Sequence, residues 1–305
     1  MGKFILIRIA WGAVAVVAAT IIVFGLSRLQ GDPRNLYLTG YVTEEMYEAW
    51  GVKWGLDKPL VVQYGLWLAR AMKGDFGTSL RAGRNARGVV MERVPATLQL
   101  ALASWIFAFA VGIPLGILSA VKRGTFWDYA GRTFALFGQA LPPFWVGIMM
   151  ILIFSVRLGW LPAGTRGGID HYIMPAITLG WLAASGNLRI MRSAMLEVLD
   201  SEYVKLARAK GVGSWTVVWK HALKNAIIPP LTFTGLILAG FLAGTVVTET
   251  VFAWPGLGRL AVDSVLQNDF PVMTGAVLVF TVIYISVTLI TDITYAWIDP
   301  RIRYR

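Results

Sequence analysis

Uncharged apolar stretches recur six times along this chain, at residues 9–26, 94–121, 133–156, 172–188, 225–248 and 270–291. Crossing about 30 Å of hydrocarbon takes roughly 20 mostly apolar residues in helical form, so each stretch predicts a membrane-spanning helix. The fourth is the shortest, and its helix is expected to continue past Arg189 toward water. Six buried helices of a soluble protein are the competing reading, but too little polar sequence remains to cover them. Between the stretches the pattern changes. Within residues 27–93, Tyr64, Trp67, Leu68, Ala71 and Met72 follow helical spacing and predict an amphipathic helix near the membrane surface. Gly74-Asp75-Phe76-Gly77 then reads as a turn. Such a helix either packs on the span bundle, the simpler reading, or receives substrate. Within 200–225, Tyr203, Leu206, Ala207 and Lys210 suit a short helix, and Gly211-Val212-Gly213 interrupts it. Ser214 is placed to cap a second helix carrying Trp215, Val218, Trp219 and Leu223, and Pro229-Pro230 marks the entry to the fifth span.

Composition agrees with the spans: 56% of the 305 residues are hydrophobic and 15% charged, against about 25% charged in a soluble domain. A net charge of +11 would in a soluble protein suggest nucleic acid, so the placement of the charges matters. With the N-terminus in the cytoplasm, fifteen Lys and Arg fall on the inner segments. Only Arg157, Arg166 and Arg259 fall on the two short outer loops, and the other ten lie between Arg28 and Arg93, in a loop long enough to be translocated regardless of charge. Both termini are therefore expected inside, and the basic balance requires no nucleic acid. Lys3 and Arg8 ahead of an apolar run also open a secretory signal, but eighteen uncharged residues exceed its usual core, so the first run is expected to remain as a span.

Chemistry is conspicuous by its gaps. There is no phosphate-cradling glycine loop with lysine, so the chain is not expected to bind a nucleotide itself. Without cysteine, disulfides and thiolate metal sites are excluded. His171 and His221 fall on opposite sides of the predicted membrane, so no metal site is expected, and no catalytic constellation stands at a recognisable spacing. Ionisable groups inside spans mark ion routes. Here only Asp292, at the inner end of the last span, and Glu249, at the outer end of the fifth, come close. Neither sits near a midplane, and no internal repeat is visible, which counts against a stand-alone ion-coupled carrier. Gln139 beside Pro142 and Pro143, Ser185 with Asn187, and Pro229-Pro230 place polar or helix-breaking residues within spans. Such places line a cavity or pack against protein, which makes Gln139, Pro142, Asn187 and Glu249 the pathway candidates. The basic connector 200–225 fits either a groove on another protein or the lipid headgroups.

The connector's wording, YVKLARAKGVGSWTVVWKHALKNAIIP from Tyr203 onward, resembles the cytoplasmic signature (EAA) loop of prokaryotic ABC importer permeases. It is most similar to the dipeptide/oligopeptide/nickel branch. Further stretches agree in the right order: GLDKPLVVQYGLWL and KGDFGTSL in the first outer loop, ERVPATLQL opening the second span, VVTETVFAWPGLGRLAVDSVLQNDFPV in the last outer loop, and DPRIRYR at the end. The long first outer loop resembles that of the B-type subunit. The resemblance implies an all-α, six-span, type I ABC importer permease in a prokaryotic plasma (inner) membrane, with both termini cytoplasmic. It implies pairing with a homologous second permease as a heterodimer, two ATP-binding subunits that hold ATP and Mg and do the hydrolysis, and an external substrate-binding protein. This chain itself would carry no cofactor and no catalysis. By match to the motif, Ala207, Arg208, Ala209, Lys210, Gly211 and Val212, flanked by Tyr203 and Trp215, would form the coupling segment that docks on the ATPase, with Gly211 letting backbones approach closely. Lys205 stands where the signature begins with Glu, and Lys224 stands where it has Pro. The implied solutes are di- or oligopeptides, with nickel chelates, glutathione or oligosaccharides as alternatives within the branch. The chain then divides into an N-terminal segment with the first span (1–30), a long outer loop (31–93), a five-span core (94–298) holding the coupling loop 200–225, and a cytoplasmic tail (299–305).

Overall fold

The computed structural model describes residues 2–29, 34 and 43–298; the DPRIRYR ending and most of 30–42 lie outside the described residues. In chain order the helices are α1 (Gly2–Leu29), α2 (Glu44–Trp54), α3 (Leu60–Met72), α4 (Ala86–Met91), α5 (Val94–Val121), α6 (Phe126–Ala140) and α7 (Pro143–Met150), which runs into a π-helical turn, Ile151–Arg157. They continue as α8 (Asp170–Leu199), α9 (Glu202–Ala209), α10 (Ser214–Thr216), a second π-helical turn (Val217–Ala222), α11 (Leu223–Ala226), α12 (Ile228–Leu236), α13 (Leu238–Val251), α14 (Leu257–Leu266) and α15 (Phe270–Ile298). Among the described residues the one pairing of extended backbone is an isolated bridge between Thr78 and Asn85.

Three helical stretches, Ile5–Gly25, Ala86–Val121 and Phe270–Ile293, are long and apolar enough to cross a membrane. The predicted third and fifth spans are bent pairs. α6 and α7 meet at 109°, and α12 and α13 at 50°. Leu141 sits in extended backbone (φ −89°, ψ 131°) ahead of Pro142, and Pro143 opens α7, because a residue before proline is pushed out of the helical region. The helix break expected at Pro142-Pro143 is thus a sharp turn within 133–156. The predicted fourth span lies within α8, which does continue past Arg189, to Leu199. α8 does not reach the apolarity of the other spans.

By contacts the chain separates into two compact units. The first comprises the described residues of 2–97 together with 255–289. In it, α3 rests on α1 through Tyr64, whose hydroxyl lies 2.8 Å from that of Thr20, and through the rings of Tyr64 and Trp67, centred 5.5 and 5.7 Å from Phe24. The amphipathic helix read from the sequence is therefore a helix packed on the first span. Ala86, Val89 and Val90 of α4 bury against Leu257 and against Val272, Ala276 and Val279 of α15, and the Asp269 carboxylate accepts a hydrogen bond from Ser79.

The second unit comprises residues 98–254 and 290–298, and α8 is its spine, touching α6, α7, α9, α11, α12 and α13. Fourteen of its residues are buried, among them Gly180, Ala184, Ser185, Gly186 and Asn187. α5 meets α8 at Gly112, where a Cβ would lie 2.6 Å from the Ala184 carbonyl oxygen. Small residues that let backbones touch are the usual means of packing helices in lipid, where apolar burial drives nothing. Asn187 adds a polar bond to that contact, donating to the Ala108 carbonyl at 3.2 Å, and ties α8 to α12 by accepting from the Thr234 hydroxyl at 2.7 Å.

Candidate functional site

The connector after α8 is built from a buried peg and an exposed cap. Ser201 lies in extended backbone ahead of α9. Val204, wholly buried, plants α9 in a core made with Met191, Met195, Val217 and Ala222. Tyr203 ties the two limbs together, its hydroxyl accepting from the Asn225 amide at 2.8 Å. α9 ends in a paired closure: the Gly211 N–H donates to the Arg208 carbonyl at 2.9 Å and the Val212 N–H to the Ala207 carbonyl at 3.2 Å. This closure needs a left-handed residue, and Gly211 supplies it at φ +80°. A Cβ there would meet nothing within 4 Å. The glycine is thus required by its backbone angle in this chain, and the close approach expected of it is not made within the chain. The next helix begins at Ser214 with Gly213 as its cap. The expected serine cap is therefore replaced by glycine, whose extended backbone (φ −59°, ψ 146°) occupies that position.

Seen from outside, this connector presents Leu206, 57% exposed, and Trp215, 74% exposed, whose ring lies 5.2 Å from that of Trp219. Arg208, Ala209, Lys210 and Gly211 are exposed with them, and Ala207 and Val212 are half-buried. None of the eight residues of the expected coupling segment is buried, while Val204 and Val217 beside them are.

Beside it lies a feature the sequence did not announce. Arg192 of α8 holds Asp128 of α6 through two parallel bonds, Nε to Oδ1 at 2.8 Å and a terminal nitrogen to Oδ2 at 2.9 Å. Asp128 also accepts from Ser119 at 2.6 Å and from the Gly124 N–H at 3.0 Å. The carboxylate is buried and every acceptor direction is used, the condition under which a buried pair holds. The only hint was an arginine on the continuing face of α8, counted in the sequence merely as an inner charge.

Two cavities open on this unit. One, of about 590 Å³, is walled by Arg132, Gln139, Arg189 and Arg192 with Tyr129 and Leu196. The other, of about 680 Å³, is apolar, with Phe144, Leu182, Phe233 and Phe241 around Gln139 and Arg189. Gln139 lines both, and Pro142 is exposed at the adjacent break. Asn187 and Glu249 are fully buried and line neither cavity. Asn187 serves the helix contact described above. Glu249, expected at an outer end, lies inside the unit, where its carbonyl accepts from the Trp254 N–H at 2.8 Å.

Residues 112–304 match the family model described as binding-protein-dependent transport system inner membrane component. The chain belongs to that family. Over the full length of both chains, the permease is 39% identical to the oligopeptide transport system permease protein AppB of Bacillus subtilis. It is 40% identical to the glutathione transport system permease protein GsiC of Salmonella choleraesuis, over 95% of this chain and 94% of that one. GsiC of Escherichia coli K12 is also 40% identical, over 91% and 90%. These relatives put the permease in the peptide/nickel group of ABC importer permeases, as a membrane subunit of an importer. In fold it is similar to a chain of the MetNI methionine ABC transporter in inward-facing form, with a TM-score of 0.56 at 20% identity over 69% of this chain and 96% of that chain. A chain of an amino acid ABC transporter gives 0.51 at 14% identity over 70% and 94%. The fold is that of a type I importer permease, all-helical and multi-pass.

Proposed function

We propose that this permease forms half of the path by which peptides enter the cell, working with a homologous second permease, two cytoplasmic ATP-binding subunits and an external binding protein. ATP and its magnesium belong to the partner subunits. The observation that carries the coupling role is the connector after α8, which exposes Leu206, Arg208, Lys210 and Trp215 and closes α9 with Gly211. A short rigid helix pinned to α8 and continuous with α11 and α12 passes a displacement of the ATPase into those spans, since packed elements shift as units. The charge distribution supports cytoplasmic termini and a cytoplasmic cap. The peptide reading is supported by the oligopeptide relative, and the glutathione relatives support a second solute of the same chemistry, a small γ-linked peptide.

The test is uptake by the reconstituted assembly. Vesicles holding all subunits accumulate a labelled di- or oligopeptide when ATP and loaded binding protein are supplied, and vesicles holding the permease alone accumulate none. Uptake of glutathione with no uptake of ordinary peptides would move the assignment to the second solute. Gly211→Asp keeps the chain in the membrane, since aspartate tolerates left-handed backbone at a cost of about 1 kcal/mol, but places a charge on the docking cap and abolishes ATP-driven uptake. Normal uptake by that variant, at normal abundance, would remove the cap from the coupling role.

A further inference from the structure

Arg189 stands where the two cavities of the second unit meet, lining both. Three residues further along α8, Arg192 is matched by the buried carboxylate of Asp128. Arg189 is not matched: among the described residues no carboxylate lies within ion-pair distance, and its neighbour on both cavity walls, the Gln139 amide, makes no hydrogen bond within the chain. One side of this threshold is apolar, walled by Phe144, Leu182 and Phe233. The other is cationic, with Arg132 added. An anionic group entering the apolar cavity has no countercharge until it reaches Arg189, and an isolated carboxylate in apolar surroundings is costly. A guanidinium is the group whose planar fork fits a carboxylate with two bonds, and the Gln139 amide can add a third donor.

A permease for peptides of varied sequence needs a handle that every peptide shares. Side chains vary, whereas the terminal carboxylate does not. Resting on the peptide reading above, we propose that Arg189, with Gln139 beside it, binds the terminal carboxylate of the transported peptide at the inner end of the path. The cation there draws the carboxylate end inward first and disfavours entry of the ammonium end.

The experiment compares a labelled peptide with its C-terminal amide, a pair chosen so that the binding protein holds both, in vesicles containing the whole importer. The measured quantity is the ratio of acid to amide uptake for the wild type, Arg189→Gln and Arg189→Lys. Arg189→Gln lowers that ratio about tenfold, the size of one lost hydrogen-bonded charge contact, and Arg189→Lys, which keeps the charge without the fork, gives an intermediate ratio. Equal loss of acid and amide uptake, the result expected if Arg189 only packs helices or holds a lipid phosphate, overturns the inference, as does an unchanged ratio. A wild type that imports neither peptide overturns the peptide reading and this inference together. A wild type that imports both, with variants of the same ratio, overturns this inference alone.

Discussion

α1 and α8 are nearly equal in length, and they solve opposite problems. In α1, Leu6, Ile9, Trp11, Val14, Val17, Ile21 and Ile22 are all exposed, and the stretch is among the most apolar in the chain. In α8, Ser185, Asn187 and Thr178 are buried beside Gly180 and Gly186, and the helix carries Arg189 and Arg192. Of the two, the more apolar helix is the less covered by protein, and the less apolar one is the spine of its unit. Lipid is the reason. Side chains facing hydrocarbon must be apolar, whereas a helix surrounded by other helices gains nothing from apolarity and is held by close backbones and polar bonds. Hydropathy in this chain therefore measures contact with lipid, and it under-reports the element on which the structure turns.

The largest effect should come from closing the space α8 leaves for α5. Gly112→Leu places a side chain where a Cβ alone would sit 2.6 Å from the Ala184 carbonyl. The helices must separate, at about 3 kcal/mol or more. The readout is thermal unfolding in detergent, where the variant is expected to aggregate or to melt far below the parent. A melting point equal to the parent's would mean that the two backbones are not in contact.

Next comes the ion pair at the head of α6. Removing the carboxylate with Asp128→Ala strands Arg192 and the Ser119 hydroxyl, an effect of 3–5 kcal/mol for fully buried pairs. Because Arg192 remains 22% exposed, solvent takes up part of the loss, and about 2 kcal/mol is expected. Arg192→Gln in the same background should then cost little further, so a double-mutant cycle gives strong coupling. Additive effects would show the pair to be independent. Asn187→Leu ranks third. It removes the bonds to Ala108 and Thr234, and interhelical polar bonds in membranes are worth about 1 kcal/mol.

How far these features could be read in the sequence follows from the same contrast. The apolar stretches located the three helices long enough to cross a membrane and both bent pairs, because lipid imposes its demand residue by residue. Gly211 between a mixed-face helix and a second apolar-faced one marked the connector, since helix closure is a local event. Pro142-Pro143 marked a break, but not its 109° angle, which depends on how α6 and α7 each pack on α8. The Asp128–Arg192 pair joins residues 64 apart in sequence and leaves no periodic trace. Glu249 does lie two residues from the end of α13, but its complete burial there comes from the surrounding packing, which its place in the sequence does not reveal. Ser214 failed differently. Serine favours the cap position, but Gly213 reaches the extended cap conformation without strain and starts the helix one residue earlier.

The smallest effect tests the other half of the contrast. Val14 of α1 is 57% exposed, so Val14→Ala removes methyl groups that lie largely outside the protein's packing, and the stability of the chain alone should change by less than about 0.5 kcal/mol. In a protein core the same deletion would cost about 1 kcal/mol or more per methyl pair, because a cavity is left behind. Lipid or detergent refills the space at an outer face, and no cavity forms. The measurement separates two meanings of an exposed apolar helix. If Val14→Ala is silent in the isolated permease and in the complete importer, α1 faces lipid in both. If it is silent in isolation and destabilising in the importer, that face of α1 is covered on assembly, and the exposure of α1 reports a partner subunit.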